Sequence, residues 1–494
     1  MAQLHSVHEA ASWLRAQVRG SLRTDSRQVQ AGDGFIAWPG AATDGRAYVG
    51  QALKQGAAAC LVEHEGVQSY AFESAQVSSL LGLKAQTGLV AAAYYEQPSQ
   101  QVKVLAVTGT NGKTSVSWWL AQALAALPQA VACGVVGTLG VGRLQALVPT
   151  GLTTPDPVVL QQTLRELADA GVSVCALEAS SIGIVERRLD GTQIHTALFT
   201  NFTQDHLDYH GSMAAYWAAK AELFQWPGLQ AAVLNIDDEQ GAVLAEQLQG
   251  VKEGPEVWTT SCQRPARLQA RRTTWQQGLR FEVCEGAETH TLQTRLLGDY
   301  NVANLLCVIA GLRSLGVPLK DAVQACAGLQ PVPGRMDCLG GDHAPLAVVD
   351  YAHTPDALEK VLLTLRQVTQ QRGGVLWCVV GCGGDRDAAK RPLMGAVADQ
   401  GADHVVLTSD NPRSENAQAI ISQMLRGVAG QHAVQVQVDR AQAIAHALQH
   451  ASDNDVVLIA GKGHEATQEV AGQKLAFSDR EHALRALQTR GVKA

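Results

Sequence analysis

The sequence predicts an α/β protein of doubly wound sheets, and three observations point there. A short β-branched run, a Gly-containing turn and an Ala/Leu-rich helical pattern recur in VKVLAVTGTNGKTSVSWWLAQAL, VVDYAHTPDALEKVLLTL, HVVLTSDNPRSENAQAIISQML and DVVLIAGKGHEATQEV. Within each, the apolar spacing shifts from continuous to a period of 3.6, as buried parallel strands followed by covering helices require. The chain has 494 residues of which 46% are apolar, enough for about three ordinary cores.

From the N-terminus, short strands and turns carrying TDSR and GAATDGRAYV precede a helical stretch that reaches Tyr95. EQPSQ leads into a strand near Val102, which opens a long block expected to hold a central P-loop-type sheet. Residues 250–295 are richer in Arg, Thr and Gln, and alternating patches such as LRFEVCEG predict an antiparallel edge. The Pro/Gly punctuation of PVPGRMDCLGGDHAP (331–345) reads as a linker. The strand–turn–helix rhythm then restarts, predicting a Rossmann-like C-terminal domain. The expected domains are 1–83, 84–333 and 334–494.

Composition narrows the function. A net charge of −7 and only 5% aromatics argue against a nucleic-acid binder. The longest apolar run, 89–95, is far below a membrane span. The opening MAQLHSVHEA lacks a basic and an apolar targeting region, so a cytoplasmic protein is expected. Ten cysteines without a CxxC pair read as reduced thiols rather than a zinc or disulfide framework.

TGTNGKT joins a strand to a helix. Backbone N–H groups at such a turn and helix N-terminus converge on one spot and favour phosphate, giving Gly109, Thr110, Asn111, Gly112, Lys113, Thr114 and Ser115 as nucleotide-site candidates. Lys113 would reach the terminal phosphates and Thr114 would hold Mg²⁺, although Val107 stands where the usual P-loop pattern has Gly. Glu178 ends the apolar strand in VCALEASS, at a sheet mouth where it could share that Mg²⁺ with Thr114. In TNFTQDHLDYHGSMAAYWAAKAELF, His206 and His210 have the spacing of a zinc pair but no HExxH glutamate. Position alone would put Lys220 in solvent.

TGTNGKT resembles the ATP loop of the Mur ligase family, and further family blocks follow in order from TDSR to GKGHE, so the resemblance spans nearly the whole chain. It implies that ATP is a cosubstrate, that a substrate carboxylate is activated as an acyl phosphate, and that an amine then forms an amide. It also implies two Mg²⁺, with His206 on the second and Lys220 carbamylated to N6-carboxylysine so that it becomes an oxygen ligand. Asn304, Arg335 and Asp350 are implied in adenine and ribose contacts, with His353 beside them. The implied partners are small molecules acting on a monomer: ATP, a UDP-muramoyl dipeptide and meso-diaminopimelate.

On the sugar-nucleotide side the resemblance implicates Thr24, Ser26, Ala41, Ala42, Thr43, Thr153, Thr154, Ser180, Glu186 and Arg188. Three positions depart from the family: Leu152 where some members have Asn, Ile182 where His is usual, and Glu186 where Gln is usual. On the amine side Arg386, then Asp410, Asn411, Pro412 and Arg413 of DNPR, then Gly461 and Glu465 lie at the ends of three predicted strands. A diamino diacid needs a guanidinium for its distal carboxylate and acidic acceptors for its ammonium. Lysine has no distal carboxylate, so Arg413 favours diaminopimelate. The competing readings are a sibling ligase, including a folylpolyglutamate synthase, a P-loop switch NTPase, and a binding protein that has lost catalysis.

Overall fold

The computed structural model describes residues 1–40, 43–275, 278–341, 343–430 and 433–490. Three main sheets follow one another along the chain. In the first, five parallel strands lie in the order Ala2–Leu4, Val77–Leu80, Ala59–Glu63, Gly34–Ala37 and Leu22–Arg23.

The second sheet has eleven strands. Its parallel heart runs Glu256–Ser261, Ala231–Asn235, Ile194–Phe199, Lys103–Thr108, Val174–Glu178 and Cys133–Gly137. Both margins are antiparallel: hairpins built from Leu268–Trp275, Leu279–Glu285 and Glu288–Gln293 form one, as LRFEVCEG predicts. Side chains of the central strand alternate faces. Leu105 and Val107 join the cluster of Trp119 and Leu120, while Val104 and Ala106 join that of Leu160 and Leu164. Helices cover both faces, which is why these strands are continuously apolar.

The third sheet orders Asp337–Gly340, Leu346–Asp350, Val456–Ala460, Leu376–Val380, His404–Leu407 and Ala433–Val436. All but the first pair are parallel, and they alternate between two apolar clusters in the same way. The linker expected at 331–345 is corrected here. It contains the strand Asp337–Gly340, which pairs antiparallel with Leu346–Asp350 as an edge of this sheet. Its Pro and Gly mark tight turns around a short strand rather than free chain. The helix expected after the strand and turn of DVVLIAGKGHEATQEV is corrected too: Thr467–Val470 pairs antiparallel with Gln473–Ala476 as a separate hairpin, in which the β-branched Thr467 and Val470 favour extended chain.

Candidate active site

Register sets the site. Val107 lies beside Glu178 and Thr108 beside Phe199, so three neighbouring strands end together and release the loops carrying 109–112, 179–180 and 200–206 at one edge. There a cavity of about 500 Å³ opens between the second and third sheets, lined by the 110–115 turn, Glu178, His206, Lys220, Asn304 and Arg335 among others.

The turn is held tightly. Gly109 (φ 143°) leaves no room for a side chain, since a Cβ would sit 1.9 Å from Thr200 Oγ1, and one on Gly112 (φ 88°) would sit 2.5 Å from Asn304 Oδ1. The N–H groups of Thr110 and Asn111 donate to Asn201 at 2.8 and 2.9 Å. The first N–H groups of the helix Lys113–Ala125 have no intrahelical acceptor, and its residues 113–115 line the cavity.

Glu178 is buried, and its carboxylate accepts Thr114 Oγ1 (3.0 Å), the Thr138 N–H (2.9 Å) and Thr138 Oγ1 (3.1 Å). Arg335 donates to Thr114 Oγ1 at 3.3 Å and stacks on Tyr351. Lys113 Nζ and Lys220 Nζ both donate to the carbonyl of Gly109, each at 2.8 Å. Lys220 is 1% exposed, in contrast to the solvent position its spacing suggests. Burial, with the Lys113 charge adding to it, drives its pKa far below the lysine range. Burial also lowers His206, and it lowers His353 to about 4, so both rings are neutral at pH 7. Asp205 lies between them, 3.5 Å from His206 Nε2 and 3.9 Å from His353 Nε2. His210 is not part of this group; its Nε2 meets Ser181 Oγ at 2.9 Å. Among the described residues no cluster of three His, Cys, Asp or Glu side chains has a metal-binding arrangement.

Asp350 takes up Met336 N (2.7 Å) and Ala352 N (2.8 Å), and burial raises its pKa. That geometry pins the turn between the second and third sheets as well as lining the cavity. Asn304 is oriented by Asn301 at 2.9 Å.

Thr154, Ser180 and Arg188 form one cluster. Thr154 Oγ1 lies 2.9 Å from Ser180 Oγ and Arg188 donates to the Thr154 carbonyl at 3.0 Å, while Thr153 Oγ1 lies 3.1 Å from Thr138 Oγ1. Thr24 reaches Asp156, which caps the next helix, so TDSR adjoins this region. Ser26 is buried in a one-turn helix, and the carbonyl of Thr43 receives Gly40 N at 2.9 Å. Ala41 and Ala42 lie outside the described residues. Glu186 is turned to protein: its oxygens accept Lys84 Nζ (2.7 Å) and Tyr209 Oη (2.6 Å), which hold its carboxyl below the usual range. Glu186→Gln, which keeps the tyrosine bond, should therefore change the KM of the sugar-nucleotide substrate by less than about threefold, as expected for a half-exposed pair. A rise above tenfold in steady-state kinetics would place Glu186 on the substrate.

At the third sheet Asp350, Ala460, Val380 and Leu407 end in register, so the turns after them, including DNPR and GKGHE, share one edge. A Cβ on Gly383 would lie 3.0 Å from Arg413 Nη1 and 3.8 Å from Arg386 Cγ, so both arginines flank one turn. Arg413 donates to the Gly384 carbonyl at 2.7 Å, and Asn411 donates to Glu465 at 2.8 Å. Asp410 accepts Asn411 N at 2.6 Å and lies against Gly461; the carbonyl of Pro412 packs on Gly384. The two regions adjoin through Tyr351 in the cavity wall, whose ring is 5.2 Å from that of His464.

Sequence models of the Mur ligase middle domain, the Mur ligase glutamate ligase domain and the Mur ligase family catalytic domain match residues 107–312, 334–463 and 20–86. A protein of Acidovorax sp. (strain JS42) named UDP-N-acetylmuramoyl-L-alanyl-D-glutamate–2,6-diaminopimelate ligase is 60% identical over 99% of this chain and 98% of its own length. The chain belongs to the Mur ligase family. A Pseudomonas aeruginosa protein of the same name is 47% identical over 94% of both chains. A solved structure with that name is 35% identical at a TM-score of 0.65, covering 95% of each chain. A MurF ligase from Thermotoga maritima in complex with ADP, 18% identical, shares the fold at a TM-score of 0.67 over 97% of this chain and 98% of its own.

Some Mur ligase site residues escaped the sequence reading. Thr138 and Asn201 hold Glu178 and the phosphate turn from other loops, and no spacing rule connects them to either. Lys462 was available in the quoted GKGHE, where a lysine between two glycines after a buried strand is an unusual place for a solvated side chain.

Proposed function

We infer that the chain is an ATP-dependent amide ligase that adds meso-diaminopimelate to UDP-N-acetylmuramoyl-L-alanyl-D-glutamate, releasing ADP and phosphate, in peptidoglycan precursor synthesis. One observation carries the reading: the phosphate turn with its Thr114–Glu178 pair adjoins, through Tyr351, an edge where Arg386 and Arg413 meet Asn411 and Glu465. Residues 1–83 are assigned to the uridine end of the substrate, 84–333 to ATP and 334–494 to the amino acid.

The donor set fits Mg²⁺. Thr114 Oγ1 and the buried Glu178 carboxylate, both hard oxygen donors beside the phosphate turn, would hold it. Neutral His206, with Lys220 once carbamylated, would hold a second ion. The bound ions would supply neutralisation of the phosphate charge.

Lys220 Nζ, buried and sharing the Gly109 carbonyl with Lys113, favours its neutral form. That neutral amine attacks CO₂: the N–C bond forms as one C=O π pair moves to oxygen, the nitrogen's extra proton passes to water, and a carbamate anion replaces the amine beside Lys113. Lys113 moves from the turn carbonyls to the γ-phosphate as the substrate carboxylate takes the phosphoryl group from ATP. The helix N–H groups hold the phosphate chain, and the amine of diaminopimelate then displaces phosphate from the acyl phosphate. Thr154, Ser180 and Arg188 orient the muramoyl peptide, while Arg413 and Arg386 bind the distal carboxylate of the acceptor.

The test is phosphate release with ATP, Mg²⁺ and the UDP-muramoyl dipeptide, with diaminopimelate or L-lysine in parallel and the product weighed by mass spectrometry. Release with diaminopimelate alone is expected. Release indifferent to the amine would favour an NTPase switch. Arg413→Ala should raise the KM of diaminopimelate about thirtyfold, the equivalent of about 2 kcal/mol for a charge-assisted bond, and leave that of ATP unchanged. Equal rises would remove Arg413 from the acceptor.

A further inference from the structure

Lys462 is among the largest fully buried side chains of the protein, with 0% exposure, although it stands next to the acceptor turn. An ammonium has three protons to donate, and Lys462 Nζ has three protein acceptors: Asn411 Oδ1 at 2.9 Å, Glu465 Oε2 at 2.7 Å and the Thr467 carbonyl at 2.7 Å. With all three used, Lys462 has none for a ligand. What it does is decided by those acceptors.

An asparagine amide can sit either way round, and its neighbours settle which. Asn411 Oδ1 faces two donors, Lys462 Nζ and the N–H of Glu469 at 3.0 Å, so Nδ2 must face Glu465 Oε2, 2.8 Å away. Oε2 of Glu465 thus receives both Lys462 and Asn411, and among the described residues no partner is recorded for Oε1. The third acceptor, Thr467, begins the hairpin that braces DNPR: Arg413 N donates to the Glu469 carbonyl at 3.0 Å and Gln468 donates to the Asp410 carbonyl at 2.6 Å.

We propose that Lys462 is a positioning residue for the acceptor, tying Glu465 Oε2 to Asn411 and the hairpin so that the remaining oxygen of Glu465 is aimed at the acceptor's ammonium. This rests on the acceptor assignment above. Without Lys462 the Asn411 amide keeps its orientation through the Glu469 N–H, but Glu465 Oε2 loses its only cationic donor and is held by the Asn411 amide alone.

The experiment compares Lys462→Met and Lys462→Gln with the parent enzyme in the coupled phosphate assay, varying each of the three substrates in turn, with thermal melting as a control. In Lys462→Met the KM of diaminopimelate should rise at least about tenfold, as lost ground-state binding requires. The values for ATP and the UDP-muramoyl dipeptide should stay within about twofold, and kcat should change less than KM. Lys462→Gln, which keeps an N–H donor, should recover part of the loss. Adding Lys462→Met to Glu465→Gln should cost less than the same change in the parent, because Lys462 acts through that carboxylate. Parallel rises in all three KM values, no change in any, or failure of both single variants to fold would overturn the proposal and make Lys462 a residue of the fold alone. A parent enzyme without diaminopimelate-dependent release would instead overturn the functional reading on which it rests.

Discussion

Lys113→Ala is expected to lower the rate of amide formation by on the order of 10³-fold or more, with no compensating fall in the KM of ATP. The phosphoryl group carries its charge through a transition state for which the protein does little but position and neutralise. Lys113 is the cation placed at that point: it leads the helix whose N-terminal N–H groups face the cavity, and it rests on the carbonyls of Gly109 and Thr110 at 2.8 and 2.9 Å. Alanine removes the charge and leaves the turn intact, since Thr200 and Asn201 hold it independently. Rapid-quench measurement of ADP formation checks this, and near-normal turnover would end the assignment of the phosphate site.

Lys220→Ala is expected to cost about 10²-fold in kcat, the scale of losing a group that orients a metal site. A small carboxylic acid should restore part of it. Two lysine nitrogens on one carbonyl oxygen make a poor arrangement for two cations, and Lys220 has no acidic partner within bonding distance among the described residues. A carbamate on Lys220 would turn that repulsion into attraction. Two measurements check this. Exhaustive removal of CO₂ should lower the activity of the parent enzyme but not of Lys220→Ala, and intact-protein mass spectrometry in crosslinked or rapidly frozen samples should find the added carboxyl. Activity of the alanine variant equal to that of the parent would retire the role of Lys220.

The resemblance to the Mur ligase family rested on short blocks, and those blocks are where the backbone does the chemistry. TGTNGKT and DNPR lie between a strand and a helix, as the strand–turn–helix rhythm requires, and the three-sheet α/β fold follows from that rhythm; GKGHE also ends a strand, but a hairpin follows it in place of the expected helix. Other parts were illegible for reasons of geometry. Glu186 is acidic where the family pattern suggests an amide, and only the approach of Lys84 from the helix Leu83–Tyr94 and of Tyr209 from another loop explains how it is accommodated. The strand Asp337–Gly340 was hidden because Pro and Gly bracket it closely enough to look like linker.

By itself the sequence determined what is periodic or contiguous: the buried parallel strands, the helices that cover them, the phosphate turn and the family to which the chain belongs. Local spacing reports those features because they are made within a few residues of each other. Only the tertiary structure decided the state of the charged groups. Lys220 lies in the short, mostly apolar helix Met213–Ala221, where sequence position puts a lysine in solvent, yet it is driven against Gly109, a residue more than a hundred positions away. Lys462 has its protons claimed by Asn411, Glu465 and Thr467. Burial and charge pairing depend on which distant segments close around a side chain, and folding alone brings those segments together.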